Sequence, residues 1–179
     1  MFQLSIEMAK QLYECNWVPS RVTEEQLDRC VATGALAKKE VIHWRAPGPE
    51  NPPEPKDGEV VVFVDHLGRG FSSPSSKFFR DVLASFQLHP QDIGPNSVSN
   101  ICHFQVFCEA YLQEEPTVEL FRDFFHLNHR TEFTDGPNTE LGGMAVQKRK
   151  EVSFPHAKLH SHPQGVEPNL VLLQRHISN

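Results

Sequence analysis

The chain reads as an α+β domain, mainly helical with a small sheet, a proline-rich connector and an unstructured C-terminal tail. Three observations predict this class. Residues 59–64, EVVVFV, are β-branched and aromatic, the composition of a buried strand. Three stretches follow in which apolar residues recur at helical spacing. Residues 46–57, APGPENPPEPKD, hold five prolines, which exclude a helix or a central strand there.

The elements follow in order. Residues 2–14 place Phe2, Ile6, Ala9 and Tyr13 roughly on one helical face, and Pro19 stops that pattern. Thr23 with Gln26 three residues on has the form of a capping box. It predicts a helix over 23–33 with Leu27, Cys30 and Val31 inward, closed by Gly34. The connector at 46–57 is a semi-rigid spacer. After the strand at 59–64, Gly68 and Gly70 permit a tight turn, and Ser75 or Ser76 caps a helix over 76–87. Phe78, Phe79, Val82, Leu83 and Phe86 form its apolar face, and His89 and Pro90 end it. Asn96 or Ser97 caps a helix over 97–113 that is apolar nearly all round, the pattern of a central buried helix. Thr117 caps a fourth over 117–127, with Leu120, Phe121, Phe124 and Phe125 buried. Gly142 and Gly143 introduce a strand at 144–149. Thirteen Phe against two Tyr and two Trp fall mostly inside these helices, so the rings read as core.

Composition narrows the function classes. Hydrophobic residues make up 39% of 179 and mean hydropathy is −0.43, which provides core for roughly 100 residues. The net charge of −6 opposes phosphate binding and disfavours a nucleic-acid partner. No stretch approaches the ~20 apolar residues of a membrane span. Cys15, Cys30, Cys102 and Cys108 read as free thiols of a soluble intracellular protein, nuclear or cytoplasmic.

The candidate chemistries are weak. DHLGRGF has glycines after a strand but lacks the phosphate-loop pattern. Asp65, Glu109 and Asp123 are the one obvious acid set near apolar surroundings, without the spacing of a two-metal site. His156, His160 and His162 form an H-x-x-x-H-x-H string, but flanking Pro155 and Pro163 and the lack of a close cysteine pair count against zinc. Gln147–Lys150, QKRK, is too short for a phosphate patch. No catalytic residue, cofactor, metal or small-molecule substrate is assigned.

A strand ending in Asp65 and RGF, the phrase LHPQDIGPNSVSNI, and FCEAYL followed by P-x-x-x-L-F together resemble the gypsy-type transposon domain family of grasses. The resemblance covers roughly residues 20–163 and is specific at 62–71, 88–101 and 104–125. It implies an N-terminal extension over 1–20, the transposon domain over 21–163 and a divergent tail over 164–179. It also implies signature residues with structural roles: Asp65, Arg69, Gly70, Phe71, Pro95, Asn96, Glu109 and Phe121. The family has no established catalytic chemistry. The expected protein is therefore a transposable-element-derived, non-enzymatic interaction or structural domain. Its expected partners are itself or another element-encoded protein. The alternatives are a domesticated nucleic-acid-associated protein and a metal-dependent hydrolase.

The resemblance stops after Pro163. Family members continue with a Trp-rich stretch similar to W-N-Q-T-W-F-Y-C, whereas this chain reads GVEPNLVLLQRHISN. Codons for the former, read one base earlier, give Val166–Leu173 of the latter. The tail is thus expected to be frameshifted, truncating the domain, and to make no stable tertiary contact, although LVLLQ is apolar enough to attach opportunistically.

Overall fold

Helix α1, Glu24–Ala32, starts where its capping box places it: Thr23 Oγ1 accepts from Gln26 N and the Gln26 side chain accepts from Thr23 N at 2.9 Å. In the computed structural model, residues 19–50, 53–129, 144–154 and 170–174 are described. The expected helix at 2–14 and the His156–His162 string lie outside them. A two-residue strand β1, Trp44–Arg45, precedes the connector, whose described residues form no helix or strand. Strand β2, Glu59–Phe63, leads directly into a one-turn helix α2, Val64–Leu67.

Helix α3, Lys77–Ser85, is capped by Ser76, whose hydroxyl accepts from Phe79 N. Helix α4, Pro95–Val106, continues as a π-helical turn over Phe107–Leu112, closed by Gln113 in the left-handed region. Helix α5, Val118–Phe124, is capped by Thr117 and passes into β3, Phe125–His129, which pairs antiparallel with β4, Met144–Lys148.

Four expectations need correction. Helix α4 has Gly94, not Asn96 or Ser97, at its cap, with Pro95 in its first turn. Proline supplies the helical φ there and needs no donor, so no side-chain cap is required. The helix expected over 97–113 is α-helical only to Val106. The fourth helix ends at Phe124 rather than 127, because Phe125 is more useful in a strand facing the core: it is 1% exposed.

The largest correction concerns the tail. Strand β5, Leu170–Gln174, lies between β1 and β2, antiparallel to both. Val171, Leu172 and Leu173 are fully buried. A continuous aliphatic run is what a strand buried on both faces needs. The segment read as an appendage is the middle of the sheet.

Two faces of that sheet bury different sets. Trp44, Val62, Val171 and Leu173 join the main core, whereas Val61, Phe63 and Leu172 form a small separate cluster. The main core is aromatic at its centre. Phe104 has Phe78, Phe121, Phe125 and Phe154 around it at 5.2–6.0 Å between ring centroids. Edge-to-face and offset pairs of this kind add roughly 0.5–1.5 kcal/mol each beyond area burial.

Candidate functional site

The turn after α2 is forced into contact with α4 by one residue. Gly70 has φ +97°, a region L-residues rarely adopt, and a Cβ there would sit 3.2 Å from the Cys102 Cβ. The backbone favours glycine there, and a Cβ would also crowd Cys102. The Cys102 thiol faces the Gly70 carbonyl oxygen at 3.4 Å. Burial raises its pKa to about 11, so it keeps the proton with which it donates to that oxygen. Phe71 then turns back into the core, with its ring 5.4 Å from Phe79.

Between this loop and α4 lies a pocket of 190 Å³. Phe71, Phe79, Cys102 and Val106 give it an apolar wall, and Ser76, Gln105 and Glu109 give it a polar one. The polar side chains are linked in sequence. Ser76 Oγ donates to Gln105 Oε1 at 2.7 Å, and Gln105 Nε2 donates to Glu109 Oε1 at 2.8 Å. Val106 at the pocket rim and Tyr111 and Leu112 in the π-turn are exposed, with Tyr111 stacked on Phe107. π-helical turns inside α-helices occur frequently at functional sites.

The signature residues divide by location. Gly70, Phe71 and Glu109 meet at the pocket. Asp65 lies in α2, and the Arg69 amide closes the turn on the His66 carbonyl. Pro95 and Asn96 open α4, the Asn96 Oδ1 being buried without a hydrogen-bond partner. Phe121 is 1% exposed and lies 4.9 Å from the Phe125 ring, a core position. Among the described residues Asp65, Glu109 and Asp123 form no group close enough to hold a metal ion. The basic run is committed locally, with Lys148 Nζ on the Val152 carbonyl and Arg149 Nε on the Arg122 carbonyl.

Sequence reasoning missed three contributors. His66 is fully buried, its Nε2 on the Ile93 carbonyl at 3.0 Å and its ring 5.1 Å from Phe63. Burial lowers its pKa to about 4. Ser97 and Asn100, read as a cap and a helix residue, bind β4 instead. Val146 N donates to Ser97 Oγ, and Asn100 Nδ2 donates to Val146 O, each at 2.9 Å. A helix thereby occupies backbone groups of β4 that a neighbouring strand would otherwise fill. The i, i+3 spacing of Ser97 and Asn100 was the available signal.

Residues 60–129 match the model of a protein family described as "Putative gypsy type transposon". The matched segment runs from β2 to the end of β3 and includes the pocket. Neither the curated proteins nor the solved structures hold a match to the chain.

Proposed function

We propose that this chain, whose residues 60–129 resemble a gypsy-type transposon family, is a transposon-derived protein with a non-catalytic interaction function, exercised on another copy of the chain or on a second element-encoded protein. One observation carries this reading. Gly70, Phe71 and Glu109 meet at a packed loop–helix junction, and at its edge Val106, Tyr111 and Leu112 are exposed to solvent. Single exposed apolar residues are ordinary, but three within seven residues next to a pocket favour a contact surface. Tyrosine is among the residues enriched where proteins meet. The acids of this region repel a phosphate backbone: Glu109 lines the pocket, and Glu114 and Glu115 follow the turn. A protein partner is therefore favoured over nucleic acid.

Sedimentation of the purified chain at rising concentration tests the proposal. Mass should increase with concentration, or on adding the polypeptide encoded next to it in the element, and Tyr111→Ser should weaken that increase. A chain that remains a monomer in both settings removes the reading.

A further inference from the structure

We propose that the pocket between the Gly70 loop and α4 receives the side chain of a lysine or arginine from the protein partner. This rests on the interaction reading and specifies its chemistry. The polarity of the hydrogen-bond chain carries the inference. Glu109 is an acceptor, so the Gln105 amide must turn its NH₂ toward it and its oxygen toward Ser76. The Ser76 hydroxyl therefore spends its proton on Gln105, while its oxygen accepts from Phe79 N. Every donor in the series points toward Glu109. The series ends on a carboxylate whose Oε2 has no partner among the described residues. The Gly70 carbonyl on the opposite side is already occupied by the Cys102 thiol. The linked side chains of the pocket thus end in a negative charge.

The rest of the pocket matches a long aliphatic cation. Phe79, Cys102 and Val106 offer apolar surface to a methylene stem, and Glu109 stands where the charged head emerges. Lysine and arginine bury their stems and keep their heads in water in this way. The volume of 190 Å³ is below the roughly 300–1,000 Å³ of small-molecule sites, and suits one side chain. Arg80, next to Phe79 in α3, is held on the Ser75 carbonyl, and no ion pair joins Glu109 to a cation among the described residues. The chain's net charge of −6 draws a basic partner and repels a phosphate.

The test is a nuclear magnetic resonance titration of the whole chain with Nα-acetyl-lysine amide and with its norleucine counterpart, which has the stem without the charge. The lysine compound should shift the amides of Cys102, Gln105 and Glu109 saturably. It should bind tighter than norleucine by up to about fivefold, the span of a solvent-facing ion pair. The preference should shrink with added salt and vanish in Glu109→Gln. Glu109 is exposed, so that variant should keep its fold, and the comparison on the unaltered chain stands without it. Equal binding of the two compounds, a preference that survives Glu109→Gln, or shifts confined to other residues would overturn the proposal. So would an oligothymidine that shifts the same amides. Self-association by sedimentation is read separately, so loss of the lysine preference leaves the interaction reading standing or falling on its own result.

Discussion

His66 should make the domain acid-sensitive in a window set by one ring. The side chain is fully buried between Phe63 and Phe71, with centroids 5.1 and 6.5 Å away. A carbonyl can only accept, so Nε2 carries the proton toward Ile93 O, and Nδ1 is left as a buried lone pair without a partner. A second proton there would place a cation in apolar surroundings, which is why the pKa falls from 6.5 to about 4. The sign follows from proton counts. Between those two values the unfolded chain binds the proton and the folded chain does not, so acidification favours unfolding. The contribution is complete above the unfolded pKa and is lost as pH falls toward the folded one. The difference from 6.5 to about 4 corresponds to about 3 kcal/mol.

Urea denaturation at steps from neutrality to the folded pKa, on the natural chain and on His66→Gln, measures it. Glutamine keeps a donor for the Ile93 carbonyl and does not titrate. Hydrogen bonds from Lys39 and Arg45 hold Glu24 and Glu59 below the usual carboxylate range. These acids also cost stability at low pH, but they do so in both proteins. The natural chain should therefore lose about 3 kcal/mol more than the variant over the window. Parallel profiles would refute the burial argument.

Two further outcomes follow from the packing. Removing residues 164–179 takes out the strand between β1 and β2, so the loss should exceed the about 2–5 kcal/mol of Leu172→Ala alone. Unchanged urea midpoints would return the segment to an appendage. Phe104→Ala should cost about 3–5 kcal/mol and Phe107→Ala roughly half that, since Phe104 is fully buried and Phe107 only half-buried. Equal losses would mean that the aromatic cluster is not centred on Phe104.

Much of this architecture was legible because local and tertiary signals agree. Thr23, Ser76 and Thr117 cap helices where their residue types place them. EVVVF and MAVQK form strands, and the Phe-rich faces are core. The failures share a cause: tertiary partners that the local pattern does not name. FHLNH continues a helical periodicity until β4 offers it a ladder. LVLLQ has the composition of a buried strand, but its partners lie at 44–45 and 59–63, far back in the chain. Of the site, the Gly70 turn was legible from its glycines. The pocket was not, since it needs Ser76, Gln105 and Glu109 brought together from two helices.

Helix α4 and the π-turn that continues it are packed against several parts of the domain. Their residues serve different neighbours at fixed helical offsets. Ser97 and Asn100 hold the Val146 backbone. Val98, Ile101, Phe104 and Cys108 enter the core at spacings of three and four. Cys102, Gln105 and Glu109 face the Gly70 loop and the pocket, again at three and four. An amphipathic surface helix tolerates change on its solvent face. This one has partners on three sides: a strand, an aromatic cluster and a strained turn. The strip carrying Val106 and Tyr111 is mostly in solvent, and it adjoins the pocket wall that ends in the Glu109 carboxylate. Packing occupies three sides of the helix and leaves that strip in solvent. On the interaction reading proposed above, the chemistry of a partner is best sought in Val106, Glu109 and Tyr111, which are exposed.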